Sequence, residues 1–133
     1  MLRNANVQTM LPVNDLEEAT RFYGETLGLK KLHEEPGTAV SYQSGNATLN
    51  VYRSEFAGTN KGTAALWEID DVEGTVKQLK AKGVAFEHYD DMPGLTRDGD
   101  IHRAGDFRVA WWKDPSGNIL SIQNRMPGSK NDS

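Results

Sequence analysis

The sequence predicts an α+β fold made of two copies of one βαβββ module, and three observations lead to this prediction. First, VQTMLPVNDLEEATRFYGETLG is typical of a short strand followed by a helix, and TAALWEIDDVEGTVKQLKAKG repeats that pattern further along the chain. Second, clusters of Pro, Gly, Ser and Asn separate short alternating segments after the first helix. Third, four residues recur 55 positions later: Asp15, Glu18, Gly28 and His33 recur as Asp70, Glu73, Gly83 and His88.

The first module is expected at about residues 4–53. Its first strand covers about residues 7–13, where side chains alternate with the period of a half-buried strand. Asp15 and Glu18 are predicted to cap the following helix, and Gly28 is predicted to end it. Turn clusters then separate three further strands, at Lys30–Glu35, 38–43 and Ala47–Arg53.

The second module is expected at about residues 63–125, after a flexible linker at 54–62. It differs from the first by a long loop, 95–106, which is dense in Arg, Asp and Gly. This loop is either a lid over a binding site or a solvated surface excursion. The whole chain, 1–133, is expected to form one domain with a disordered tail at 127–133. The predicted elements of the second module are a strand at 63–69, a helix at 71–82 and strands at 84–89, Phe107–Lys113 and 119–124.

Composition excludes several classes of function. The formal charge of −4 and the pI near 5.3 disfavour binding to nucleic acid or to an anionic membrane. The absence of cysteine excludes disulfides, thiolate zinc sites and cysteine nucleophiles. Because no apolar run is long enough to span a bilayer and the N-terminus does not resemble a signal peptide, the protein is expected to be soluble and cytoplasmic.

Two motifs on this two-copy pattern resemble the vicinal-oxygen-chelate superfamily, which includes glyoxalase I, extradiol dioxygenases, fosfomycin-resistance enzymes and bleomycin-resistance proteins. The motifs are VNDLEEATRFYGETLGL at 13–29 and WWKDPSGNIL at 111–120, and the resemblance covers roughly residues 4–125. It implies a glyoxalase-like fold, in which curved mixed sheets surround a cleft between the modules and the helices lie outside. Family members often dimerise, so the resemblance also implies a homodimer.

Metal-dependent members of the superfamily hold a divalent ion with four ligands, usually His, Gln or Glu. One ligand lies on the first and one on the last strand of each module. The resemblance matches these positions to Gln8, Asn50, Ala64 and Ser121. Two amides, a methyl group and a hydroxyl cannot offset the dehydration of Ni²⁺, Zn²⁺, Mn²⁺ or Fe²⁺. We therefore expect no metal ion, and no other cofactor is implied.

Strand alternation assigns the remaining ligand-binding candidates to one face of the sheets. The opposite face, with Leu11 and Leu120 among its residues, is expected to pack on the helices. Trp112 is expected in the core, whereas Trp111 is expected to point into the cleft or into a dimer interface. Aromatic rings beside neutral hydrogen-bonding groups suit a flat or aromatic organic ligand. The predicted ligand-binding residues are Gln8, Asn50, Tyr52, Leu66, Trp111 and Ser121.

The titratable residues offer few candidates for catalysis. His33 and His88 are expected to be solvated imidazoles at sheet edges. His102 lies in the predicted loop, where it is either a general acid or base that can reach the cleft or a solvated loop residue. Glu68 shares the predicted cleft face, where it is either a base or a solvated carboxylate.

Three functions are compatible with these residues. The favoured one is metal-independent binding of a small organic ligand in the cleft, as the resemblance to bleomycin-resistance proteins implies. The alternative is a glyoxalase-like lyase or a dioxygenase-like oxidoreductase with altered metal ligands. The third is an enzyme without a metal, in which His102 or Glu68 acts as the base.

Overall fold

The structure is a computed structural model that describes residues 1–124. It divides into two compact units. Unit 1 comprises Met1–Lys61 together with Asp114–Asn118, and the described part of unit 2 comprises Gly62–Lys113 together with residues 119–124. The predicted disordered tail at 127–133 lies outside the described residues. Within residues 1–124, no helix is long and apolar enough to cross a membrane.

Unit 1 has the predicted βαβββ order. Its sheet runs β1-β4-β3-β2, with β1 parallel to β4 and the other neighbouring strands antiparallel. The α+β prediction is therefore confirmed for this half of the chain. The elements are β1 (Thr9–Val13), α1 (Leu16–Arg21), β2 (Lys30–Glu35), β3 (Ala39–Ser44) and β4 (Ala47–Arg53).

Helix α1 begins where the sequence predicts. The Asp15 carboxylate accepts a hydrogen bond from the backbone N–H of Glu18 at 3.1 Å, which satisfies one free donor of the first turn. The helix is shorter than predicted, because a π-helical turn, Phe22–Thr26, continues it. Gly28 follows this turn with a φ of 76°, a value that glycine adopts without strain.

One face of the unit 1 sheet is buried against α1 and the π-helical turn, as the strand alternation predicts. Along β1, β3 and β4 the side chains of this face alternate with half-buried or exposed ones, which is the pattern of a sheet covered on one side. Burial of this face supplies the apolar core of unit 1. The buried residues are Leu11, Val13, Ala19, Tyr23, Val40, Tyr42, Leu49 and Val51.

Unit 2 has the same order with one insertion. Its sheet runs β5-β10-β9-β8-β7, with β5 parallel to β10 and β6 pairing with β9. The elements are β5 (Thr63–Glu68), α2 (Val72–Ala81), β6 (Phe86–Glu87), β7 (Thr96–Asp98), β8 (Ile101–Ala104), β9 (Phe107–Lys113) and β10 (Ile119–Gln123). Strand β6 is shorter than the predicted strand at 84–89.

The prediction of a loop at 95–106 is wrong, because most of this segment forms the β7–β8 hairpin. Arg97 lies opposite His102 in this hairpin, and β8 continues the sheet by pairing with β9. Gly99 occupies the turn with a φ of 67°, which suits a tight connection between antiparallel strands. A lid that swings freely is therefore not supported, since these residues belong to the sheet.

The core of unit 2 is built around Trp112. It is 1% exposed, stacks on Trp67 with ring centroids 6.0 Å apart, and meets the edge of Phe86 at 5.7 Å. The prediction that Trp112 is a core residue is confirmed. Helix α2 is capped by Asp71, whose carboxylate accepts from Gly74 N at 2.9 Å, and not by Asp70 of the matched pattern.

Candidate functional site

The exposed face of the unit 1 sheet carries a hydrogen-bonded row of three polar side chains. Asn50 Nδ2 donates to Gln8 Oε1 at 2.8 Å, and Ser41 Oγ donates to Asn50 Oδ1 at 2.6 Å. We call Gln8, Asn50 and Ser41 the polar row. Met10 pairs with Asn50 in the strand register and is 55% exposed, so apolar surface lies beside the row.

The polar row brings together two of the predicted ligand-binding residues, Gln8 and Asn50, and adds one that the sequence analysis missed. Ser41 lies opposite Asn50 on β3, which places both side chains on the same face. Ser41 stands between the apolar residues Val40 and Tyr42, and this alternation could have placed it on the polar face of the sheet. Tyr52 lies on the same strand two residues after Asn50 and is half-buried.

The predicted ligand-binding residues of unit 2 share one face, but two of them are buried. Ser121 lies opposite both Leu66 and Trp111 in the sheet. Leu66 is 52% exposed, whereas Ser121 is 1% and Trp111 8% exposed. The Trp111 indole donates to Thr63 Oγ1 at 3.2 Å, which fixes the ring within the unit. Only Leu66 of the three presents a large accessible surface.

His102 was expected in a loop, either as a general acid or base or as a solvated residue, and the loop placement is wrong. It lies on β8 and is 1% exposed, and its ring meets the Trp111 ring edge-on at 4.8 Å. Its Nε2 accepts a hydrogen bond from Tyr89 N at 2.9 Å. Nε2 must therefore carry the lone pair and Nδ1 the proton, and Nδ1 has no partner within the described residues.

This arrangement does not favour His102 as a general base. The lone pair that would accept a proton is already used by Tyr89 N–H. Burial, followed by the positive charge of Arg97, lowers the pKa of His102 below its ordinary value. The residue is consequently held neutral inside unit 2, where it packs as a ring.

The charged side chains around His102 form two ion-pair groups. Asp100 accepts from His88 Nε2 at 2.8 Å and lies 2.7 Å from Lys80 Nζ. The hydrogen bond from His88, and then that from Lys80, lowers the pKa of Asp100. Arg97 contacts both carboxylate oxygens of Asp90, at 2.5 and 3.2 Å. A further ion pair on the hairpin joins Arg103 to Asp98 at 3.0 Å, so opposite charges lie beside each other in this region.

The other titratable candidates lie at the surface. His33 is on β2, an edge strand whose residues are all exposed, as predicted for a solvated imidazole. His88 was also predicted to be a solvated imidazole, but its Nε2 is hydrogen-bonded to Asp100. Glu68 is exposed at the end of β5, and its role as a base stays a prediction.

The motif DPSGN belongs to a buried network in unit 1 that serves the structure. Asp114 Oδ2 accepts from Tyr23 Oη at 2.7 Å and from Asn118 Nδ2 at 2.9 Å. Asn118 also donates to the carbonyl of Pro12 at 2.7 Å. Burial and then the Asp114 charge raise the pKa of Tyr23, so its phenol is held protonated as a donor. The network ties the turn to β1 and to the π-helical turn.

The residues at the four positions matched to metal ligands do not fit a metal ion. In unit 1, Gln8 could ligate a metal only through its side-chain oxygen, and this oxygen already accepts a hydrogen bond from Asn50 Nδ2. In unit 2, Ala64 has no donor atom and lies at an irregularity of the β5–β10 register, and Ser121 offers only a hydroxyl. Among residues 1–124, no group of three or more His, Cys, Asp or Glu side chains is placed to hold a metal.

Comparisons with known proteins give the family of the chain. A model of the Glyoxalase/Bleomycin resistance protein/Dioxygenase superfamily matches residues 7–122. The chain therefore belongs to this superfamily, and the resemblance seen in the two sequence motifs is confirmed.

Three individual proteins illustrate what the chain is similar to. A probable lactoylglutathione lyase of Vibrio parahaemolyticus is 28% identical over 135 residues, which covers 90% of this chain and 91% of the relative. TnmS3, an antibiotic binding protein from Streptomyces sp. CB03234, superposes with a TM-score of 0.66 at 24% identity, covering 93% of this chain and 98% of that one. A glyoxalase family protein from Enterococcus faecalis gives a TM-score of 0.70 at 18% identity, covering 93% and 100%. The structural likenesses support the glyoxalase-like fold.

Proposed function

We propose that the chain binds a small organic molecule without a metal ion. The donor set at the four matched positions carries this proposal. Amide, amide, methyl and hydroxyl groups bind divalent transition metals weakly, and the amide oxygen of Gln8 is already engaged. Neutral hydrogen-bonding groups beside apolar surface are instead typical of sites for organic ligands.

Each unit, taken by itself, has accessible candidates for contact with such a ligand. On unit 1 these are the polar row, Met10 and Tyr52, which share one face of the sheet. On unit 2 the candidate is Leu66, which is half exposed on the face of Ser121 and Trp111. Because Ser121 and Trp111 are buried, their proposed role is to support the surface around Leu66.

The experiment is a thermal-shift screen with cationic glycopeptide antibiotics and uncharged aromatic compounds. A ligand at a hundred times its Kd stabilises the folded state by about 2.7 kcal/mol, which raises the Tm by several degrees. For a compound that binds to unit 1, Met10→Ala should reduce the shift; for a compound that binds to unit 2, Leu66→Ala should reduce it. Leu32→Ala and Met92→Ala are matched controls, since both side chains are exposed and lie outside the candidate residues. A flat response to the whole panel would contradict the proposal.

A second candidate function is a glyoxalase-like lyase or a dioxygenase-like enzyme with altered metal ligands. The Vibrio parahaemolyticus relative favours it, since a probable lactoylglutathione lyase matches nine-tenths of this chain. This function predicts turnover that depends on added Ni²⁺, Mn²⁺ or Fe²⁺. Activity that survives exhaustive chelation would exclude metal-dependent catalysis, and inactivity with every metal would favour the binding function.

We also propose that the chain forms a homodimer, since dimers are common among the proteins it resembles. Exposed apolar side chains such as Val7 and Phe56 are compatible with a covered surface. Light scattering coupled to size-exclusion chromatography tests this directly. A mass of one chain at micromolar concentration would contradict it.

A further inference from the structure

We propose that the polar row of unit 1 is a hydrogen-bond donor site that recognises an organic ligand by an acceptor oxygen, such as that of a ketone or a carboxylate. The inference rests on the proposed binding function and specifies the chemistry of the ligand. It follows from the direction in which each hydrogen bond of the row runs.

The hydrogen-bond partners of Asn50 assign the orientation of its amide. One end of this amide lies 2.8 Å from Gln8 Oε1 and 3.4 Å from the carbonyl oxygen of Thr9. A backbone carbonyl can only accept, so the end that faces Thr9 must be the NH₂ group. The other end is therefore the oxygen, and Ser41 Oγ donates to it at 2.6 Å.

The orientation of Asn50 fixes the orientation of Gln8. Because Asn50 presents its NH₂ group, Gln8 must turn its amide oxygen inward to accept. The Nε2 group of Gln8 then points away from this bond, and within residues 1–124 its two protons have no acceptor. Gln8 is the exposed member of the row, whereas Asn50 and Ser41 are half-buried. The most accessible group of the row is therefore a neutral double donor.

The surroundings of the row suit an uncharged or anionic oxygen on an apolar body. The hydroxyl proton of Ser41 is already donated to Asn50. Within the described residues, the donors of the row that a ligand can use are therefore the N–H groups of Gln8 Nε2. Met10, which pairs with Asn50 and is 55% exposed, offers apolar contact next to that donor. A cationic amine would meet N–H groups of Gln8 instead of an acceptor, so such ligands are disfavoured at this place.

The test uses three naphthalene probes that differ in one group: 2-acetylnaphthalene, 2-ethylnaphthalene and 2-naphthylmethylammonium. Binding is followed on the ¹⁵N-labelled full chain by NMR, with the side-chain NH₂ resonances of Gln8 as the local reporter. The ketone should bind about fivefold more tightly than the hydrocarbon, the ratio for one hydrogen bond of about 1 kcal/mol. The ketone alone should shift the Gln8 NH₂ resonances strongly.

The substitution Asn50→Asp should reverse the preference. A carboxylate at this position can only accept, so Gln8 must rotate and donate with Nε2, which turns its oxygen outward. The ketone should then lose its advantage and the ammonium probe should bind more tightly than the ketone. Asn46→Asp adds the same charge at an exposed turn residue of the same sheet without touching the row, and should keep the original preference.

The outcomes separate this inference from the binding function itself. Equal binding of ketone and hydrocarbon, or unshifted Gln8 resonances, would overturn the donor site while leaving ligand binding intact. An unchanged preference in Asn50→Asp would also overturn it. If none of the three probes binds at millimolar concentration, the inference fails together with its premise for aromatic ligands.

Discussion

At the scale of single residues, two buried polar side chains differ in whether their polar atoms have hydrogen-bond partners. Asp114 is 4% exposed and receives hydrogen bonds from Tyr23, Asn118 and the backbone of its own turn. His102 is 1% exposed, and its Nδ1 proton has no partner within the described residues. The first group stabilises the fold because several donors surround it, whereas the second is tolerated only while it is neutral.

The Asp114 network predicts a large effect of a small change. Asp114→Asn removes an acceptor and places an NH₂ group among the donors of Tyr23 and Asn118. We expect a loss of about 2–4 kcal/mol in the free energy of unfolding, since charged hydrogen bonds break and a buried donor is left unpaired. Urea denaturation measures this. Asp98→Asn, at an exposed carboxylate, is the matched control and should change stability little. Equal effects of the two substitutions would contradict the account.

His102 predicts a dependence of stability on pH. Its folded pKa lies below the ordinary value of 6.5, mainly because of burial and then because of Arg97; Asp90 and His88 are the other charged groups that act on it. Below about pH 6.5, His102 binds a proton in the unfolded chain but not yet in the folded chain. The free energy of unfolding should therefore fall as the pH drops below this value, and the loss should level off once the pH has passed the folded pKa.

Urea denaturation across this pH range checks the His102 prediction in the native chain and in His102→Phe. Phenylalanine keeps a ring beside Trp111 but has no proton to bind, so its stability should fall less steeply with acid. His88→Gln is the control, since His88 is paired with Asp100 near the surface. If the fall in the free energy of unfolding with acid is unchanged in His102→Phe but lost in His88→Gln, the effect comes from His88 and the prediction is wrong.

At the scale of elements, the linker before β5 is more ordered than its composition predicts. Gly58 adopts a φ of 78°, and a Cβ at this position would overlap the carbonyl oxygen of Ser116. The linker therefore lies against the DPSGN turn within unit 1. Its glycine permits close approach of two backbones, which is a structural use and not a source of flexibility.

Gly58→Ala should consequently be more damaging than alanine at another glycine with the same backbone conformation. Gly37 has a φ of 75° with nothing within 4 Å of an added Cβ, so Gly37→Ala should cost only the conformational strain of about 1 kcal/mol. Gly58→Ala should add the backbone overlap and lower the Tm by several degrees more. Equal Tm values for the two variants would show that the linker does not pack as described.

The elements also show what local sequence patterns can and cannot predict. The strands and helices of unit 1 follow from alternation, capping by Asp15 and turn residues, all of which act within a few positions. The β7–β8 hairpin was missed because its strands are short and polar, although Gly99-Asp100 and Gly105-Asp106 mark a turn at each end of β8. The burial of His102 depends on Tyr89 and Trp111, and this contact is set by tertiary pairing that no local pattern reveals.

At the scale of the whole molecule, the account rests on a family scaffold whose matched metal positions carry poor ligands. The superfamily match covers residues 7–122, and a probable lactoylglutathione lyase is 28% identical over nine-tenths of this chain. The identities of the residues at these positions were readable from the sequence. The hydrogen bond that engages Gln8 was not, because it required the pairing of β1 with β4.

The most direct test of metal-independent binding is the metal content of protein purified without chelator and then dialysed, measured by inductively coupled plasma mass spectrometry. We expect substoichiometric Ni, Zn, Mn and Fe, because Gln8, Asn50, Ala64 and Ser121 offer no carboxylate or imidazole. One tightly held equivalent of any of these metals per chain would contradict it.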